Sequence, residues 1–178
     1  MTDSLTAQPA LERPDLLAPV VHGALVSWPT AAAVQVAEID PALADTAAFC
    51  ARYGVPLERS ANCVVVAGRR GGQTTLAACL VLATARADVN GVVRRELDAR
   101  KASFAAEDIA TGETGMEYGG ITPIGLPVGW PVLLDRSVAE SASVVVGSGV
   151  RRSKLVLPGA VLAGLPGVRI LDLAQSRD

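Results

Sequence analysis

The sequence predicts an α+β domain, with a mixed or antiparallel central β-sheet packed by a few short helices. Strand-like runs outnumber helix-like ones, and the two kinds do not alternate in the strict βαβ order of a doubly wound sheet. Composition limits the core. Half of the 178 residues are hydrophobic but only 3% are aromatic, so Val, Leu, Ile and Ala must fill it.

Taken in chain order, residues 1–20 read as a flexible arm carrying Pro9, Pro14 and Pro19, ahead of one domain over 21–178. Residues 22–28 suit a short helix or an extended segment that Pro29 ends. Residues 34–39 alternate as a strand, with Val34 and Val36 on one face. Asp40 as cap and Pro41 at the first helical position open a helix, with an apolar stripe of Leu43, Ala47 and Cys50 beside Phe49 and Tyr53. Gly54 and Pro56 stop it. Residues 62–67 and 75–83 form a hairpin through Arg69-Arg70-Gly71-Gly72. Asp88 caps a helix over 89–99 that turns Val92, Val93 and Leu97 inward. Ala106–Ala110 make a helical turn or two. Residues 111–131 are a long loop rich in glycine and proline, of a kind more often functional than accidental. Strands follow at 132–135, 143–147 and 154–157, then a short helix from Pro158 to Leu162 and a last strand at 168–173. No internal repeat is present.

A net charge of −2 argues against a nucleic-acid binder that works by bulk charge. The basic clusters are Arg69–Arg70, Arg94–Arg95 with Arg100–Lys101, and Arg151–Arg152 with Lys154. They read as three solvated patches, unless the fold gathers them around one groove fit for a phosphate backbone. The aromatic content leaves no set of rings for reading single-stranded RNA by stacking. Cys50, Cys63 and Cys79 are irregularly spaced, and His22 is the one histidine, so no common zinc site assembles and neither metal nor cofactor is expected. The cysteines fit reduced core thiols. The first residues lack a signal-type apolar stretch, and no run approaches a membrane span. A cytoplasmic protein with no membrane or DNA partner is expected.

The loop Gly119-Gly120-Ile121-Thr122-Pro123-Ile124-Gly125 is the strongest chemical signal. Glycines let a ligand approach the backbone, and Pro123 stiffens the segment. Such a loop can aim several N–H groups at one point, as a carbonyl or oxyanion site needs. It is neither a dinucleotide fingerprint nor a Walker loop. By itself a glycine-rich turn is more often structural.

Thr114-Gly115-Met116-Glu117-Tyr118-Gly119-Gly120-Ile121-Thr122-Pro123-Ile124-Gly125 resembles throughout the signature of the YbaK/EbsC family of aminoacyl-tRNA deacylases, which includes the editing domain of prolyl-tRNA synthetases. Leu97–Ala105, Val132–Asp135 and Val146–Arg152 resemble its flanking segments. Together these cover about residues 32–173. The resemblance implies a YbaK-like, barrel-like fold and a groove for the 3′ end of a misacylated tRNA, with an aminoacyl-tRNA synthetase as a further partner. It implies a carbonyl held by the backbone of Gly119, Gly120, Ile121, Thr122 and Pro123, and attack by water or by a group of the substrate. That fits a chain without a Ser–His–Asp set. Asn62, Lys101, Gly125, Gly147, Ser148, Gly149 and Arg151 would bind substrate. A small amino acid is expected.

The chain departs from the family where a lysine followed by Thr or Ser usually opens the central strand; here the pair is Asn62-Cys63. Asparagine orients a carbonyl or hydroxyl but brings no charge. Its role is either lost or passes to a cation such as Lys101 or Arg151. The serine that often opens the small-residue turn is Gly147, and an acidic residue of some members is Lys154. Asp135 reads as an acceptor of turn N–H bonds, Trp28 and Trp130 as partial core, and Glu117 and Tyr118 as loop residues, exposed or lining the pocket. The rival readings are a non-catalytic binding module and a hydrolase of small acyl esters.

Overall fold

The computed structural model describes residues 4–176. Residues 1–3 of the expected arm and 177–178 of the expected domain lie outside the described residues. The hairpin of β3 (Ala61–Arg70) and β4 (Gln73–Leu82) is the spine of the fold. Its register runs from Ala61 opposite Leu82 to Arg70 opposite Gln73. The turn uses Gly71 at φ 56° and Gly72 at φ 80°. Two left-handed residues give the turn whose twist matches its strands. Val64–Val66 on β3 supply the β-branched side chains that suit a pleated, buried surface. Leu80 of β4 is fully buried, a contribution of about 2 kcal/mol.

β7 (Val132–Asp135) lies parallel to β4, and β10 (Val168–Leu171) parallel to β7. β6 (Lys101–Phe104) runs antiparallel to the other side of β3 and forms the edge. A second, antiparallel sheet runs in the order β1 (Ala7–Pro9), β2 (Gln35–Glu38), β9 (Ser153–Leu157), β8 (Val144–Gly147). β5 (Ala85–Ala87) and β11 (Ala174–Ser176) make a small third sheet. The helices are α1 (Pro19–Ser27), α2 (Thr46–Tyr53), α3 (Arg94–Glu96), α4 (Glu107–Thr114), α5 (Arg136–Ala139) and α6 (Gly159–Ala163). The mixed α+β class is as the sequence predicts, but among the described residues no sheet closes into a barrel. The two larger sheets meet at an isolated bridge between Ser60 and Val145. Beyond it the Gly120–Ile121 backbone packs against Gly147, and a hollow opens between β3 and β8.

Several local expectations need correction. The segment read as a flexible arm is built into the fold: β1 pairs with β2, and Ala10, Leu16, Leu17 and Ala18 are buried. The Arg152 guanidinium donates to Asp15 O. The prolines read as signs of mobility start ordered turns, with Pro14 and Pro19 at first helical positions. Asp40 caps only a 3-10 turn over Pro41–Leu43; the helix proper starts at Asp45, whose side chain accepts from Ala47 N and Ala48 N. Gly54 ends that helix at φ 64°, as expected. Asp88 accepts from Gly91 N and Val92 N and opens a π-turn over Val89–Val93 that continues into α3. α4 extends to Thr114, four residues into the expected loop, and ends on left-handed Gly115. Val168–Leu171 is not the last strand, since β11 follows. Asp135 bonds Ser137 N, Leu173 N and Ala174 N, the N–H acceptor role read from the sequence.

Candidate functional site

Two glycine-containing loops cross at the open end of β8. A Cβ on Gly147 would lie 2.3 Å from Gly120 O and 2.5 Å from Ile121 O, and a Cβ on Gly120 would lie 2.7 Å from the Val150 backbone. Gly119 and Gly149, at φ 86° and 87°, make the bends on either side. Backbone bonds lock the crossing: Gly149 N–H donates to Gly120 O at 2.7 Å, and Glu117 N–H to Gly149 O at 2.9 Å. The Glu117 carboxylate accepts from Arg151 N at 2.6 Å. The Arg151 guanidinium donates to Tyr118 O and Pro41 O, at 3.0 and 3.1 Å. Arg151 therefore straps the loop, and its charge is committed to carbonyls. Ser148 is buried beneath, its hydroxyl within bonding distance of Val150 O, Ser153 O and the Ser153 hydroxyl.

The amide groups of the loop divide unequally. Gly120 N–H is used on Glu117 O at 2.9 Å. Thr122 N–H points at Met116 Sδ, 3.4 Å away, and Pro123 has none. The N–H groups of Gly119 and Ile121 have no hydrogen-bond partner among the described residues. Both residues line a cavity of about 320 Å³ between β3, β8 and the start of α2, within the size range of small-molecule sites. Ala44, Ala61, Ala105 and Val146 are among its walls, and Asp45, Phe104 and Tyr118 also line it.

Asn62 and Gly147 also line this cavity. Asn62 Oδ1 accepts from the Thr46 hydroxyl at 2.6 Å, which leaves the carboxamide NH₂ as the donor available to the cavity. Gly120, Thr122, Ser148 and Gly149 are in the wall behind. The Thr122 hydroxyl is buried without a partner. Pro123 and Gly125 face another way, into an apolar cleft of about 940 Å³ that also takes Trp28 and Trp130. Lys101 is exposed at a separate basic hollow. Of the seven substrate-binding candidates, Asn62 and Gly147 line the cavity; Ser148, Gly149 and Arg151 belong to the loop crossing behind it, and the edge strand and the turn at Gly125 carry Lys101 and Gly125 to other hollows.

The cation that does line the cavity is Lys154. β9 is buried at almost every position, and Lys154 is only 7% exposed. Its ammonium donates to Ala44 O at 2.9 Å and sits 5.5 Å from the centre of the Phe49 ring. Burial pulls its pKa down to about 8. Sequence reasoning noted Lys154 as part of a basic cluster, as a strand residue and as a departure from the family, not as a cavity residue; the available signal was a lysine directly before the apolar run Leu155–Leu157. Cys63 also lines the cavity. Burial pushes its thiol far up, so little thiolate forms at neutral pH. Among the described residues no group of three or more His, Cys, Asp or Glu could hold a metal ion.

An α+β fold with loop amides that lack partners, a carboxamide and one ammonium around a small cavity is an arrangement able to hold a polar carbonyl-containing group. The aminoacyl-tRNA editing domain model matches residues 40–165, which is most of the chain, and the protein belongs to that family. Solved structures agree on the YbaK-like fold. A candidate trans-editing enzyme for prolyl tRNA synthetase is 21% identical, with a TM-score of 0.75 over 89% of this chain and 97% of its own. A hypothetical protein is 21% identical, with a TM-score of 0.64 over 72% and 83%. A candidate signal transduction protein from Marinobacter aquaeolei VT8 is 17% identical, with a TM-score of 0.58 over 87% of this chain but only 30% of its own. No helix among the described residues is long and apolar enough to cross a membrane.

Proposed function

We propose that this chain is a deacylase that hydrolyses the ester of misacylated tRNA in trans, in the cytoplasm. The aminoacyl group lodges in the 320 Å³ cavity, with the ester carbonyl against the N–H groups of Gly119 and Ile121. Water, relieved of a proton by a group of the substrate, adds through its oxygen to the carbonyl carbon. The negative charge that develops on oxygen is met by those two amides. The ester C–O bond then breaks, the ribose oxygen takes a proton, and free amino acid and tRNA leave. Each well-aimed donor stabilises such an oxyanion by about 3 kcal/mol. Lys154 supplies positive charge to the same space, and Asn62, held by Thr46, orients the substrate through its NH₂. Family membership makes aminoacyl-tRNA the fitting substrate, and the Ala, Val and Gly walls favour a small amino acid.

The observation that carries this reading is that Gly119 and Ile121, whose N–H groups have no partner among the described residues, line the same cavity as Lys154. A panel of mischarged tRNAs incubated with the protein tests it. Release of one or a few small amino acids is the expected result, and no release from any member overturns it. Asn62 in place of a charged residue favours a second reading, a non-catalytic binder of the same 3′ end. The same panel separates the two, since a binder protects the ester from spontaneous hydrolysis.

A further inference from the structure

Four cations of the described residues are held in ion pairs. Arg13 pairs with Asp15, Arg70 with Asp98, Arg136 with Asp172 and Arg169 with Glu96. Arg151 and Arg152 bind carbonyls. One place gathers four cations together. Arg69, Arg94, Arg100 and Lys101 line a single hollow of about 610 Å³ with Asn90 and Ser103, and no acidic side chain lines it. Arg69 donates to the Ser103 hydroxyl. Arg94, Arg100 and Lys101 make no ion pair among the described residues.

The hollow is joined to the cavity by one strand. Lys101–Ser103 of β6 line the first, while Phe104 and the following Ala105 line the second. Register adds to this. Lys101 lies opposite Arg69 and Ser103 opposite Ala67, so these residues share the sheet face of Cys63 and Val65 in the cavity wall. From Val65 to Arg69 the strand advances about 13 Å. Phe104, opposite Val66 and so on the other face of β6 from Lys101 and Ser103, lies at the strand end where the hollow and the cavity adjoin, with 61% of its surface exposed, and Tyr118, 57% exposed, also lines the cavity. Two uncovered rings at one mouth are notable in a chain with so few aromatic residues.

We propose that this edge is a track for the single-stranded 3′ end of RNA. The hollow takes backbone phosphates of the nucleotides that precede the terminal one, and Phe104 and Tyr118 flank the terminal base. The proposal rests on the reading of the cavity as the site of an RNA 3′ ester. Acidic phosphodiesters match four cations without a counter-charge, and a base face matches an exposed ring. The aromatic-poor composition excludes reading of a sequence but not the holding of one base.

The test uses the full chain, a fluorescent RNA hairpin with a single-stranded 3′ tail, and the same hairpin made blunt. The tailed RNA is expected to bind at least tenfold more tightly. Arg94→Ala with Arg100→Ala is expected to flatten its log K against log salt slope by about 1.4, at about 0.7 per lost contact on single strands. Phe104→Ala is expected to weaken binding about tenfold while leaving the slope unchanged. With mischarged tRNA, the double arginine variant raises KM and leaves kcat in place. Equal binding of tailed and blunt RNA, or an unchanged slope in the double variant, overturns the track even if the ester is hydrolysed. The slope change without any hydrolysis leaves the track standing and removes the deacylase reading.

Discussion

The Lys154 ammonium donates to Ala44 O at 2.9 Å from within a strand that is otherwise almost wholly buried. This relationship brings a cation into the cavity where the sequence offers the neutral Asn62. A buried cation with one carbonyl partner costs folding energy, and an apolar residue of the same length is usually tolerated as well or better. Lys154→Met is therefore expected to keep or raise the midpoint of thermal unfolding. The same change should lower kcat/KM for deacylation by about 100-fold, the scale of losing one electrostatic stabiliser. Loss of activity with collapse of the fold would instead make Lys154 structural.

The pH dependence of Lys154 has a definite sign. Its folded pKa of about 8 lies below the ordinary 10.5, so the unfolded chain holds this proton more tightly. Between those two pH values the unfolded state binds more protons, and stability from this group rises with pH, by on the order of 3 kcal/mol in all. The buried thiols act oppositely. Cys79, pushed up to about 12 from 9.0, loses stability above its unfolded value. Urea unfolding of wild type and Lys154→Met in parallel isolates the lysine, and the difference should move toward the wild type from pH 8 to pH 10. Over the same range the catalysed rate, corrected for spontaneous hydrolysis, should fall in wild type as the ammonium is lost.

Gly147→Ala drives a methyl group into two carbonyl oxygens, 2.3 and 2.5 Å away. The expected cost is about 3 kcal/mol or more, read as a lower denaturant midpoint. Gly71→Ala is the control. Its φ is +56° but nothing lies within 4 Å, so only backbone strain of about 1–2 kcal/mol applies. Equal costs at the two sites would contradict the crossing of the loops.

Cys63 lines the cavity, but its buried thiol is a poor nucleophile. Cys63→Ala should retain deacylation within about threefold, a barrier change of well under 1 kcal/mol. Iodoacetamide at neutral pH should inactivate the wild type slowly. Rapid inactivation, or loss of turnover in Cys63→Ala, would call for a thiol mechanism.

Thr46 donates to Asn62 Oδ1 at 2.6 Å. Removing that donor lets the carboxamide rotate. Thr46→Val and Asn62→Ala should each reduce kcat/KM, and the double variant should be no worse than Asn62→Ala, a coupling of about 1 kcal/mol. Additive losses would show that Thr46 acts separately.

Local chemistry was legible where a few neighbouring residues decide the conformation. The hairpin follows from β-branched residues around Gly71-Gly72, the end of α2 from Gly54, and the N–H acceptor role of Asp135 from its place at a strand end. The glycine loop was legible as a motif, but how its amides divide was not. Gly120 spends its N–H on Glu117, and Ile121 keeps its own free, a difference that depends on how Val150 and Gly147 pack across the turn. The N-terminal prolines misled for a related reason. Proline fixes φ but does not say whether the fold has an edge such as β2 for the chain to join.

The sequence by itself determined the α+β class, the hairpin, the glycine-rich motif of the Gly119–Pro123 loop and the family resemblance, because each is written in residues close together along the chain. Only the tertiary structure decided which charge reaches the cavity. It places Lys154 there, sends Lys101 to the sheet edge and ties Arg151 to carbonyls. These positions depend on the pairing of β9 with β8 and of β6 with β3, long-range pairings whose register assigns every side chain to a face.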